Sequence, residues 1–144
     1  MISTRFGTIY PSWIAFGWFV AAGATSLFLL GMAALGVVGV DDSGAGAGWT
    51  TAALAAGFFL GGFFTGARAG SAPWVHGVGM GLFSLLAWLL VNLFAGEPAG
   101  EPTWRSLSLT ATAFLLAVQA FAAVVGCALG ARLAHQPPEP ASEG

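Results

Sequence analysis

Charge is what this chain has least of. Only 7% of its residues are charged, against about 25% in soluble domains. Lysine is absent, and the four basic side chains are Arg5, Arg68, Arg105 and Arg132. No basic patch exists to neutralise phosphates, which excludes nucleic acid as a partner. Cysteine is nearly absent as well. Cys127 alone rules out an internal disulfide and cannot build a structural zinc site. The acids Asp41, Asp42, Glu97, Glu101, Glu139 and Glu143 all fall in Gly- or Pro-rich polar stretches. No apolar run therefore carries a carboxylate able to relay a proton or act as a general base. No Ser-His-Asp arrangement, phosphate-cradling loop or metal-ligand cluster is visible in the sequence. The expectation is a protein without enzymatic activity.

What fills the chain instead is apolar. Hydrophobic residues make up 57% of it, and the mean hydropathy is +0.83. A soluble protein of this composition would expose large patches and aggregate. An ionised group at a bilayer centre costs roughly 3 kcal/mol, so charges gather at the water-facing ends of membrane spans. The scarce charges here mark loops. The runs between them predict transmembrane helices at 12–38, 49–67, 74–94 and 104–133, near the about 20 residues that a bilayer requires. Pro11 suits a helix start. Asp41-Asp42-Ser43-Gly44 and Gly96-Glu97-Pro98-Ala99-Gly100-Glu101-Pro102 break the helical pattern. The first apolar run is too long for a secretory h-region and reads as an uncleaved signal anchor. Residues 135–144 form a Pro-rich tail expected to lie extended in water. Short connections predict an all-α bundle over residues 1–134, built from two antiparallel hairpins.

If the spans alternate, Arg5, Arg68 and Arg132 share one side of the membrane. Arg105 lies opposite with Asp41, Asp42, Glu97 and Glu101. The positive-inside rule then predicts cytoplasmic termini, for a multi-pass protein of a bacterial cytoplasmic (inner) membrane. Tyr10, Trp13 and Trp74 fall at the inner edge, with Trp49 and Trp104 at the outer one, as an interfacial aromatic belt requires. Trp18 and Trp88 lie deeper and read as packing residues. The chain also repeats itself. Gly62-Phe63-Phe64-Thr65-Gly66-Ala67-Arg68 and Gly126-Cys127-Ala128-Leu129-Gly130-Ala131-Arg132 both have the pattern G-x-x-x-G-A-R. Pro11-Ser12-Trp13 and Pro73-Trp74 are weakly alike. The two hairpins read as an internal duplication, with chance likeness of small-residue helices as the alternative.

Lipid tails are as apolar as leucine, so helices pair in a bilayer through close backbone approach, which small residues permit. The chain has 22 glycines. Expected packing stripes are Gly57 with Gly61, Gly62 with Gly66, Gly77 with Gly81 and Ser84, and Gly126 with Gly130. The first span offers Gly17, Ala21, Ala24 and Gly31. These stripes serve packing within the chain or docking of other transmembrane subunits or a second copy. Thr25, Ser84 and Gln119 are the polar groups expected near the midplane. Gln119 is the costliest to leave unpaired and is expected to bond Ser84 or Thr25. The same three would form the polar stripe of a small oligomeric transporter or channel.

Arg68, Arg132 and His76 converge on the inner edge and suit an anionic lipid phosphate. His76 has the chemistry to ligate haem or chlorophyll, but the only other histidine, His135, lies on the tail. Its plainer role is an interfacial ring bonded to a loop carbonyl. No other cofactor is expected. Gly61-Gly62-Phe63-Phe64-Thr65-Gly66-Ala67-Arg68-Ala69-Gly70, followed by Trp74-Val75-His76-Gly77-Val78-Gly79-Met80-Gly81, resembles small four-span bacterial membrane proteins of the YrzE-like type. The turn at Gly70-Ser71-Ala72-Pro73 lacks the extra basic residues common in that group. The resemblance implies fold and compartment, and no activity. The functional expectation is an accessory or scaffold subunit of a larger membrane complex, respiratory or photosynthetic assemblies being natural hosts.

Overall fold

The computed structural model describes residues 10–37, 45–70, 72–94 and 108–134. Among these the chain forms α1 (Pro11–Ala34), α2 (Ala45–Ala69), α3 (Pro73–Phe94) and α4 (Leu109–Ala134), with no strand. Arg5, Arg105, the six carboxylates, Trp104, His135 and the tail lie outside the described residues. All four helices are long and apolar enough to cross a bilayer. The outer faces are bare hydrocarbon: Leu30 is 68% exposed and Phe121 72%. Such a surface is stable against lipid tails and unstable against water.

The helix ends follow local backbone chemistry. α1 stops at Ala34 rather than continuing to residue 38 because the chain turns left-handed at Gly36, where φ is +69°. The Val37 N–H then donates to the Met32 carbonyl at 2.9 Å and the Gly36 N–H to Ala33 at 3.0 Å. That pair of bonds is a Schellman cap, which favours glycine because a Cβ is strained at positive φ. Gly70, at φ +62°, ends α2 in a similar way, its N–H donating to the Gly66 carbonyl at 3.1 Å. Ala72 is also left-handed, at φ +44°, and precedes Pro73, whose ring disfavours the right-handed helical region at that position. α4 begins at Leu109 rather than Trp104. Ser108 caps it, its Oγ accepting the Ala111 N–H at 3.3 Å.

α1 pairs with α2 and α3 with α4, so both hairpins form. The most extensive interface, however, joins α2 to α4, and α1 meets α3 over a shorter stretch. The order around the bundle is α1, α2, α4, α3. α2 and α4 run parallel, both towards the end that carries Arg68 and Arg132, here termed the basic end. Along their seam, a Cβ added to Gly62 would lie 2.9 Å from the Ala123 Cα, and one on Gly66 would lie 2.6 Å from the Cys127 Cα. Reciprocally, a Cβ on Gly126 would lie 2.9 Å from the Phe63 nitrogen, and one on Gly130 the same distance from that of Ala67. The four glycines face the carbonyl oxygens of Ala123, Cys127, Phe59 and Phe63 in turn. Residues 64 apart exchange roles: Gly62 becomes Gly126 as Phe59 becomes Ala123, and Gly66 becomes Gly130 as Phe63 becomes Cys127. The repeated motif is thus one contact used twice, about a pseudo-two-fold axis along the bundle.

The outer pairs use the remaining stripes. Gly57 sits against Ala21 and Thr25, and Gly61 against Gly17 and Ala21. Gly77 meets Val124, and Gly81 meets Ala120. Each of these glycines therefore packs inside the chain. Gly31 does not, having nothing within 4 Å of an added Cβ. The added methyl groups would test this division. Gly126→Val should destabilise the bundle by about 1–3 kcal/mol through overpacking. Gly31→Ala should be neutral or stabilise by up to about 1 kcal/mol through helix propensity. Thermal unfolding in detergent, followed by circular dichroism, distinguishes the two. Equal effects would contradict the seam.

Candidate functional site

Between the basic end and the midplane the bundle is tightly filled: Thr65, His76, Met80 and Cys127 are completely buried there. Beyond that layer the helices leave a cavity of about 410 Å³, with Trp18, Thr25, Leu54, Phe58, Ser84, Trp88 and Gln119 in its wall. A smaller space of about 160 Å³ between α3 and α4 shares Ser84, Trp88 and Gln119. The three polar residues expected at the midplane thus meet at one place, one each from α1, α3 and α4. Thr25 is 7% exposed and Ser84 8%.

The bonds among them differ from expectation. Ser84 is engaged by Trp18, whose indole Nε1–H donates to the Ser84 Oγ at 2.8 Å. The Trp18 ring also packs on Phe83, with centroids 5.2 Å apart. Trp18, read from sequence as packing alone, is therefore a polar partner too. An indole carries one donor and no acceptor, and within hydrocarbon it must find an oxygen. The Thr25 hydroxyl donates to the Ala53 carbonyl at 3.5 Å, a long and weak bond. Gln119 bonds neither Ser84 nor Thr25 through its carbonyl: Oε1 is buried without a partner. An unpaired buried acceptor costs about 1–3 kcal/mol.

At the basic end, the His76 Nδ1 lies 3.1 Å from the Ala72 carbonyl, and Nε2 accepts the Tyr10 N–H at 3.4 Å. With Nε2 accepting, Nδ1 is the ring nitrogen that donates to the carbonyl. The ring ties the start of α1 to the start of α3. With both nitrogens engaged and the side chain fully buried, His76 does not join Arg68 and Arg132 at the surface. The two arginines are exposed in the last turns of α2 and α4, where positive charge complements the helix dipole. The Arg68 guanidinium carbon stands 6.0 Å from the Trp13 ring centroid, within cation–π range. Thr65, which the sequence does not single out, has its hydroxyl donating to the Gly61 carbonyl of its own helix at 2.9 Å, with the Trp13 carbonyl of α1 also within reach at 3.3 Å. Cys127 is a buried free thiol whose backbone packs against Gly66.

Four apolar spans and a lipid-compatible exterior define a multi-pass integral membrane protein of the helical-bundle class. Comparison with protein-family models, curated proteins and solved structures finds no match to the chain. The YrzE-like resemblance accordingly carries no part of the functional reading below. Two substitutions should separate the polar groups by sign. Ser84→Ala removes the acceptor of Trp18 and should destabilise by about 1–3 kcal/mol, whereas Gln119→Leu removes an unpaired amide oxygen and should be neutral or stabilising. Chemical or thermal unfolding in detergent measures both. A large loss of stability in Gln119→Leu would show that the amide has a structural partner.

Proposed function

We propose that this chain is a non-catalytic accessory or scaffold subunit that packs against other transmembrane helices in a larger assembly. It sits in a bacterial cytoplasmic membrane with both termini in the cytoplasm. The observation that carries the reading is the sealed basic half. Glycines on all four helices bring backbones into contact there, and the described ionisable side chains lie at helix ends or bonded within the packing. A rigid plug of this kind suits support more than conduction or chemistry. Apart from Gly31, the glycines of the stripes that sequence left open for a partner are occupied within the chain. Among the surfaces that remain is a groove of about 560 Å³ outside α2 and α4, lined by Ala55, Phe59, Phe114, Ala117 and Phe121 among others. A transmembrane helix of another subunit fits there.

The cavity favours a second reading, a small oligomeric transporter whose solute contacts Gln119. A pigment- or haem-binding role through His76 draws no support from a ring already bonded at both nitrogens. An anionic lipid held by Arg68 and Arg132 is compatible with either reading. Mild detergent extraction from the native membrane should yield an assembly much larger than the 14.6 kDa chain, and Ala117→Trp should dissociate it while the bundle stays folded. A lone chain with bound detergent, or an assembly indifferent to Ala117→Trp, would refute the scaffold. Gln119→Leu should leave the assembly intact; loss of a solute flux in that variant would favour transport. Arg68→Ala and Arg132→Ala should each weaken anionic-lipid retention about fivefold, as expected for about 1 kcal/mol per basic residue. Unchanged lipid in native mass spectra would remove that contact.

A further inference from the structure

The cavity at Gln119 is unlike the rest of the interior, because it combines an empty volume with an unsatisfied polar atom. Its depth follows from helix geometry. Ser84 lies about 16 Å along α3 from its first residue, and Gln119 about 15 Å along α4 from its own, at 1.5 Å per residue. Both therefore stand near the middle of a hydrocarbon layer about 30 Å thick. The rim includes Ser26 on α1 and Val91 on α3, both exposed on the bundle surface. The cavity thus opens sideways between those helices, and only a molecule dissolved in the membrane can reach it there.

We infer that this cavity binds a neutral membrane lipid through a free hydroxyl group, with the apolar body of the lipid against Trp18, Phe58 and Trp88. Three features select this chemistry. Among the described residues no ionisable side chain lines the space, so a charged headgroup would be buried there without a counter-charge, at high cost. The Gln119 Oε1 lacks a donor, and the Ser84 oxygen, already accepting from Trp18, keeps its own O–H to give. A hydroxyl both donates and accepts, and so answers both groups at once. The volume of about 410 Å³ lies within the about 300–1,000 Å³ of small-molecule sites, and its aromatic walls suit a chain or ring. A lipid alcohol here is independent of any partner on the α2/α4 groove.

The full chain, reconstituted in nanodiscs, tests the inference. The probes are a bromine-terminated undecanol and the matched bromoundecane lacking the hydroxyl. Bromine quenches tryptophan fluorescence on contact, and Trp18 and Trp88 report. The alcohol should quench saturably, at a concentration about tenfold lower than the alkane, the value of one buried hydrogen bond. Gln119→Leu should bring the alcohol to the level of the alkane. Ala87→Phe, which fills the cavity without touching the polar pair, should abolish specific quenching by the alcohol. Equal quenching by both probes, as a site holding only water would give, overturns the inference. So does an alcohol preference that survives Gln119→Leu, or one that persists in Ala87→Phe if the first variant does not fold.

Discussion

The structure rests on the bare backbone contact between α2 and α4. In a bilayer, expelling water does not drive two helices together, so attraction must come from dispersion and from Cα–H groups lying on carbonyl oxygens. Both act only at very short range. Gly62, Gly66, Gly126 and Gly130 supply that range, each placing its Cα against a carbonyl of the other helix. Because the helices are parallel and their motifs lie 64 residues apart, the donor turn of one is the acceptor turn of the other. A single sequence pattern thereby completes both sides of the seam. α1 and α3 then attach to its flanks through Gly57 and Gly61 and through Gly77 and Gly81.

That seam has a consequence for the opposite half of the bundle. The close contacts crowd towards the basic end, where the His76 ring also ties α1 to α3. Phe58, Trp18 and Trp88 line a space that follows towards the other end. That space lies at the depth where the chain carries Thr25, Ser84 and Gln119. Tight packing and an open, partly polar cavity thus occupy adjacent layers of one bundle. A support role draws on the first and a lipid-binding role on the second, and the two are compatible within one molecule.

Much of this was legible beforehand, and particular residues show why. The eight stripe glycines all pack as their spacing indicated, because helical periodicity fixes which residues share a face. Gly31 has the same chemistry but faces open space, since it stands past the point where α1 has a close neighbour. The end of α1 was misplaced because Gly36 reads as one more small residue in an apolar run, whereas its positive φ makes it a cap. Trp18 and Ser84 are 66 residues apart. Nothing local to either could reveal the bond that leaves Gln119 without its expected partner. His76 kept the plainer of the roles open to it, bonding a loop carbonyl.

The sequence by itself determined that the protein crosses the membrane four times and where its glycine faces lie. Both follow from properties each residue carries alone, its transfer energy and its position on a 3.6-residue turn. Only the tertiary structure decided that α2 neighbours α4, that the glycine faces are consumed within the chain, and which polar group remains unpaired. Hydrogen bonding and close approach are relations between helices distant in the chain, and they have no value until the helices are placed side by side.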